Sequence, residues 1–383
     1  MIQFSKKHSG ADVTIFSVMS ALANEHAAIN LSQGFPDYPI DSQLQYYLQD
    51  ALAKGFNQYA PMAGLPMLQS AIAQQQSLKL GHNISPDEVT IFPGASYAIY
   101  GALCARLQKG DEVVIFEPAY DAYIPAIEMN GGVVVTVPLQ YPDFSVDWSK
   151  FQDVLTDRTK AIIVNTPHNP TGVIWSKEDW AQLARFVSGK DILIISDEVY
   201  DEIVYDGNLH HSVLQESSLK EQAIAVYSFG KQLHATGWKI GYSIAAPSIS
   251  KAIRRVHQFI GFSVNTPAQY AIAHFLAQHD FSQNAVFLQE KRNLLNELIA
   301  QTPLCLGPIS KGSYFQIVDY RRWKQMSDIE FATWMTKEVG VATIPLSAFY
   351  KDKTDNGLVR FCFAKEEKTL IQAFERIQNF LKK

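Results

Sequence analysis

Cysteine is scarce in this chain: Cys104, Cys305 and Cys362 are three among 383 residues, and none lies close to another. That spacing excludes a CxxC redox or zinc pattern and fits a reducing, cytosolic setting. Basic charge is not in excess, with 33 Lys plus Arg against 38 Asp plus Glu and a net charge of -5. No global field therefore draws in nucleic acid or anionic lipid, and any anion must be captured by a local site. No apolar run is long enough to span a bilayer, and no signal-peptide core follows Lys6 and Lys7, so neither export nor membrane insertion is expected. The sequence has no GxGxxG after an early strand, no GxxxxGK[ST] and no HExxH, and the pair His210-His211 has no ligand cluster around it. Dinucleotide, P-loop and metal chemistry have no motif to stand on.

What is present is the composition of an ordinary globular protein, 47% hydrophobic and 19% charged, long enough for two or three packed units. Val13, Phe16, Met19 (or Val18) and Leu22 recur at helical spacing over Asp12 to His26, ahead of the breaker-rich SQGFPDYP. Further helices are expected around Gln43 to Phe56 and after Pro66. From Glu88 the texture changes to short β-branched runs between helical stretches: EVTIF, EVVIF, GGVVVTVP, AIIVN, ILIISDE and AIAVYSF. Four of them are nearly continuous apolar runs ending in polar or small residues, the pattern of a parallel sheet covered by helices. Ligands in such sheets sit at the carboxyl ends of the strands. After about Pro267 the order becomes helices, then SYFQIVDY and GLVRFCFA, then a helix from Glu366 to Lys382, which reads as a smaller α+β unit. No repeat or flexible linker separates the parts.

Three segments carry chemistry. Lys231 lies in Ser228-Phe-Gly-Lys231, just beyond AIAVYSF; its spacing alone suits a solvated lysine. Ser228 and Lys239 flank it, however, and a hydroxyl plus a cation beside a lysine is what a phosphate-bearing aldehyde requires. Asp197 ends ILIISDE, where an aspartate by itself could cap a helix or join a salt bridge. Coupled with Lys231, its carboxylate could face a pyridine nitrogen and keep it protonated, with Tyr200 one helical turn away. Asn169, in NTPHNPTG after AIIVN, sits either in a simple strand-ending loop or where it can donate to a cofactor oxygen.

Together SFGKQLHATGWKIGY, SDEVYDE and NTPHNPTG resemble the fold-type I, class I and II aminotransferases. LSQGFPD, NQYAPMAGLPMLQ, FPGASYA, EPAYDAY and VRFCFA follow in the expected order, so the resemblance covers nearly the whole chain. QGFPD, the SFGK and ATGWK pair and FSVNTPAQ are similar to the kynurenine, glutamine and methionine aminotransferase branch. The resemblance implies an α/β fold: a large domain with a mainly parallel seven-stranded sheet between helices, and a smaller α+β domain. It implies residues 1–40 packing with the small domain, 41–285 as the large cofactor domain and 286–383 as the small domain.

It also implies pyridoxal 5'-phosphate as cofactor, held as a Schiff base by Lys231, which then shuttles a proton. Asp197 would pair with the pyridine nitrogen, Asn169 and Tyr200 with the ring hydroxyl oxygen, and Tyr120 would stack on the ring. Ala95, Ser96, Ser228 and Lys239 would hold the phosphate, and a helix N-terminus at Ala95 suits an anion without any family argument. Lys239 departs from the commoner arginine, keeping the charge but losing the bidentate fork. Tyr59 would reach the phosphate of the neighbouring subunit, implying a homodimer with shared sites. Arg360 would grip the substrate α-carboxylate, with Gly34 letting the backbone approach it. Phe16, Phe35, Tyr120 and, from the partner subunit, Phe262 would favour large apolar or thioether side chains over acidic ones.

The reaction expected is transfer of an amino group from methionine, an aromatic or another large apolar amino acid to a 2-oxo acid by a ping-pong scheme. A carbon–sulfur β-lyase would share the fold and the cofactor residues. A non-catalytic sensor of cofactor or amino acid is the rival from another class, and it usually carries a DNA-binding segment of which no basic arm is seen here.

Overall fold

A computed structural model describes residues 2, 6–9, 13–279 and 281–382. Its strands run, in chain order, β1 (Ile29–Asn30), β2 (Val89–Phe92), β3 (Glu112–Glu117), β4 (Val133–Pro138), β5 (Thr159–Asn165), β6 (Leu193–Asp197), β7 (Ala223–Ser228), β8 (Gly241–Ala245), β9 (Cys305–Leu306), β10 (Phe315–Asp319), β11 (Val341–Ala342), β12 (Ile344–Pro345) and β13 (Leu358–Cys362). Seven of them form one sheet in the order β2-β8-β7-β6-β5-β3-β4. β8 is antiparallel to both neighbours, and the other pairings are parallel. The expected mainly parallel α/β sheet is therefore present.

Alternation along the central strands explains why they read as continuous apolar runs. Val114, Phe116, Ile162, Val164 and Ile194 pack into one helical layer. Val113, Ile115, Ala161, Ile163 and Ile195 pack into the other. Each such side chain taken out of water contributes about 1.5–3 kcal/mol, so a strand with both faces covered tolerates little else.

A second sheet, β12-β13-β10-β9, is antiparallel and has its own apolar cluster around Phe315, Val359, Phe361 and Phe374. β1 pairs in parallel with β11, so the segment after the first helix docks on the C-terminal part of the chain. That first helix is Ile15–Glu25, capped by the Thr14 side chain; Met19 is buried and Val18 is 47% exposed, which assigns the inward position to Met19. Asp12 lies outside the described residues. The next two helices are Ser42–Ala53 and Pro66–Leu80, and the last is Glu367–Leu381.

Candidate active site

β5, β6 and β7 lie side by side and parallel, so their carboxyl ends open on one edge. Register places Asn165 beside Asp197, and Asp197 beside Val226. A cavity of about 310 Å3 opens there, and Lys231, Asp197, Tyr200, Asn169, Ser228, Lys239 and Arg360 all line it.

Lys231 sits in the short helix Phe229–Gln232 that follows β7. Its Nζ donates to Tyr314 Oη at 2.9 Å and to the Gly34 carbonyl at 3.2 Å. Burial lowers its pKa to about 8, which leaves an appreciable neutral, nucleophilic fraction near neutral pH.

Asp197 is held at the end of β6 by its backbone, whose carbonyl accepts from Asn165 Nδ2 at 2.9 Å. Its Oδ2 accepts the Tyr123 hydroxyl at 2.5 Å and its Oδ1 accepts Val199 N at 3.4 Å. Burial raises the carboxyl to about 6, and these donors oppose the rise. A cation placed against such a carboxylate gains more than it would in water. Tyr200 is buried as well, but the segment after Asp197 is a turn closed by Asp201 N on the Glu198 carbonyl, not the helical turn expected from sequence.

The opposite end of the cavity is built for an anion. Ala95 and Ser96 open the helix Ala95–Arg106, whose first amide groups have no partner within the helix. Gly94 precedes it at φ +88° and ψ 165°, a region open essentially to glycine. A Cβ there would sit 3.3 Å from Lys239 Nζ, so the missing side chain keeps a cradle between amides and ammonium. Ser228 and Tyr120 complete this wall. Burial pushes the Tyr120 phenol up to about 12, so it stays neutral.

Arg360 is fully buried on β13, opposite Ile317 of β10 and Ile344 of β12. Nη1 donates to Asn169 Oδ1 and Nη2 to the Ser32 carbonyl, both at 2.7 Å. The guanidinium lies 3.8 Å from the Phe315 ring centre, with the Phe16 and Phe349 ring centres at 5.3 and 5.2 Å. Among the described residues, Nε has no hydrogen-bond partner and no carboxylate neutralises the charge by direct contact. Burial lowers its pKa to about 10, so the group remains cationic and is shaped to receive an anionic fork.

The cavity brings together eleven of the residues singled out from sequence: Phe16, Gly34, Ala95, Ser96, Tyr120, Asn169, Asp197, Ser228, Lys231, Lys239 and Arg360, with Tyr200 a twelfth. Phe35 is not on its wall: the residue is 45% exposed, and Lys365 Nζ lies over its ring at 4.8 Å while bonding its carbonyl. The expected specificity role of Phe35 therefore has no support within one chain. Tyr59 and Phe262 meet edge to face at 5.5 Å on an exposed surface and do not line this chain's cavity. Sequence reasoning missed Tyr123, Phe315 and Tyr314. Tyr123 is detectable as the second tyrosine of EPAYDAY, while Tyr314 and Phe315 fall in SYFQIVDY, which the sequence marks only as strand-like.

An amine of lowered basicity, a buried carboxylate, an anion cradle and a buried guanidinium in one cavity fit a phosphorylated pyridine aldehyde together with a carboxylated substrate. The class this fold and site define is that of pyridoxal-phosphate enzymes built on a seven-stranded α/β sheet. The chain belongs to the family aminotransferase class I and II, which matches residues 27–377. It is 46% identical over 374 residues to methionine aminotransferase of Escherichia coli, covering 95% of each chain. It is 32% identical over 412 residues to human kynurenine–oxoglutarate transaminase 1, covering 98% of each. Among solved structures, an Escherichia coli protein identified by structure and reactivity as having a methionine aminotransferase function superposes with a TM-score of 0.95 at 44% identity, covering 99% of this chain and 100% of that one. A Thermus thermophilus aspartate aminotransferase double mutant gives 0.90 at 29% identity, covering 99% and 100%. The protein is a pyridoxal-phosphate-dependent amino-acid aminotransferase acting on an amino acid and a 2-oxo acid, and the carbon–sulfur lyase alternative is not favoured.

Proposed function

We propose that the preferred amino donor is methionine or another amino acid with a large apolar side chain, and that transfer to a 2-oxo acid follows a ping-pong scheme. The observation that carries this reading is the setting of Arg360 among Phe16, Phe315 and Phe349. The cations lining the cavity are Lys231, Lys239 and Arg360, and each has a task in the scheme below, leaving none for a second substrate carboxylate. The similarity to a methionine aminotransferase supports the same choice.

Bound pyridoxal phosphate supplies an electron sink for the carbanion at the substrate α-carbon. Lys231 would anchor the cofactor and, once freed as an amine, would carry the proton between the substrate α-carbon and the cofactor C4'. Asp197 would keep the pyridine nitrogen protonated, Asn169 and Tyr200 would bond the ring hydroxyl oxygen and Tyr120 would cover the ring. Ala95, Ser96, Ser228 and Lys239 would bind the phosphate, joined by Tyr59 of the partner subunit. Arg360 takes the α-carboxylate beside Gly34, and Phe16 with Phe262 of the partner subunit encloses the side chain. On this reading the protein works as a cytosolic homodimer. Residues 41–285 carry the cofactor, and 1–40 with 286–383 carry the carboxylate grip.

A panel of amino donors assayed against several 2-oxo acids tests the proposal. Methionine and aromatic donors are expected to give the highest kcat/KM; preference for aspartate or glutamate would overturn it. Pyruvate and ammonia released from cystathionine, with no new amino acid from methionine, would overturn the transfer itself.

A further inference from the structure

Tyr314 immediately precedes β10 and lies against Lys231, although nothing in its local sequence marks it as functional. The residue is fully buried. Its hydroxyl donates to the Gly34 carbonyl at 2.6 Å and accepts from Lys231 Nζ at 2.9 Å, while the same carbonyl accepts from Nζ at 3.2 Å. The three groups close a triangle of hydrogen bonds around the lysine amine. Gly34 is held to this place by Phe315, whose ring carbon lies 2.8 Å from where a Gly34 Cβ would stand. The Tyr314 ring meets that of Tyr200 edge-on at 5.0 Å, which fixes the phenol from the other side.

We propose that Tyr314 is a positioning residue for the reaction: its hydroxyl and the Gly34 carbonyl form a seat that receives Lys231 Nζ whenever it is a free amine and aims its lone pair at the reacting carbon. The inference rests on the reading of Lys231 as the proton carrier. A neutral amine has two N–H bonds and one lone pair. Two acceptors, Tyr314 Oη and Gly34 O, match the two N–H bonds, and the remaining tetrahedral position faces the cavity. The Tyr314 proton points to the Gly34 carbonyl, so the phenol presents an acceptor to the amine and leaves its lone pair free. An amine on a four-carbon stem without such a seat would spend most of its time in other rotamers, and proton transfer depends on a near-attack geometry.

The seat also joins two binding events. Ser32 and Gly34 belong to one loop, and Arg360 holds the first carbonyl as Lys231 and Tyr314 hold the second. The carboxylate grip and the proton carrier are thus registered against the same short stretch of backbone.

Tyr314→Phe removes only the hydroxyl. In the loaded enzyme we expect kcat to fall at least about ten-fold with KM changed by less than about three-fold, and the isotope effect with α-deuterated donor to rise, as for a group acting on proton transfer. Asp197, Arg360, Lys239, Cys362 and Tyr200 also face the amine and are unaltered in the variant. Loss of an acceptor destabilises the ammonium more than the amine, so the acid limb of the pH profile should move to lower pH. A folded variant with wild-type kcat, or one whose kcat and cofactor affinity fall together with the pH profile unmoved, would overturn the proposal. Should the variant fail to fold, a crystal structure of the wild-type protein with pyridoxamine 5'-phosphate decides. Nζ within hydrogen-bond distance of Tyr314 Oη and Gly34 O is expected, and Nζ turned away from both overturns the seat. Borohydride reduction of the wild-type holoenzyme and peptide mapping test Lys231 separately, so the two readings fail distinguishably.

Discussion

Tyr123 and Asp197 share one short hydrogen bond, 2.5 Å from phenol oxygen to Oδ2, in a place closed to water. The phenol comes from the first residue of the helix Tyr123–Met129, which follows β3, and the carboxylate from the end of β6, so helix and strand are tied at the group read as partner to the pyridine nitrogen. A hydrogen bond to a charged acceptor contributes about 1.5–3 kcal/mol, roughly twice a neutral one. The tie therefore sets both the position and the protonation of the carboxylate.

Removing it with Tyr123→Phe has a defined sign. Burial already raises Asp197 to about 6, and the Tyr123 hydroxyl pulls the other way. Without that donor the ionised form loses support, so the pKa rises and protonation sets in at higher pH. We expect kcat/KM at pH 7 to fall by about ten-fold, and the acid limb of its pH profile to move upward. An unshifted limb in a folded variant would show that Tyr123 does not tune Asp197. The direction is opposite to that expected for Tyr314→Phe, so the two phenols are separable in one set of pH profiles.

Gly94→Ala tests the anion end. Its backbone is at φ +88°, and the new methyl would press on Lys239 Nζ at 3.3 Å. Holding a non-glycine residue in that region costs of order 1–3 kcal/mol. We expect a lower Tm and weakened binding of pyridoxal 5'-phosphate, with a smaller loss for pyridoxal, which lacks the phosphate. Equal losses for the two ligands, measured by titrating the apoprotein, would contradict a phosphate cradle at this place.

Much of this is legible in the sequence, for physical reasons that differ by element. β3, β5, β6 and β7 announce themselves because burial on both faces forces unbroken apolar runs, and the polar residues that end them mark the site. β8 is not legible because GYSIA mixes a glycine, an aromatic and a serine instead of an unbroken apolar run, and it forms a strand through its neighbours β2 and β7 rather than through its own pattern. Arg360 stood out as a charge in an apolar strand, which burial makes expensive unless it has a use. Tyr123, Tyr314 and Phe315 look like core aromatics in sequence, and only distance to Asp197, Lys231 and Arg360 distinguishes them. The resemblance implies a specificity role for Phe35, but within this chain its ring turns toward Lys365, a placement that depends on contacts between distant segments and not on local pattern.

Arg360→Lys separates charge from geometry. The guanidinium spends Nη1 on Asn169 and Nη2 on Ser32 while keeping a planar face between aromatic rings. Lysine retains the charge but has neither the fork nor the plane. We expect KM for amino donors and for oxo acids to rise at least about ten-fold while cofactor absorbance is retained, since bidentate recognition is lost from the carboxylate only. Unchanged KM for both substrates would place the α-carboxylate elsewhere.

Subunit sharing is tested by mixing two defective proteins. Tyr59 and Phe262 form an exposed pair that does not line the cavity of their own chain. An aromatic patch of this kind suits an interface between two copies related by two-fold symmetry. In a dimer of Lys231→Ala subunits neither site has its lysine; in a dimer of Tyr59→Ala subunits neither has the borrowed phenol. A hybrid dimer places both losses in one site and leaves the other site with Lys231 from one subunit and Tyr59 from its partner, both intact. Random pairing of equal amounts makes half the dimers hybrid with one whole site in each, so activity should recover to about a quarter of wild type. If each chain used its own Tyr59, mixing would give only the average of the two parents. An enzyme assay on the co-refolded mixture, set against the two proteins refolded apart and then combined, decides between these outcomes.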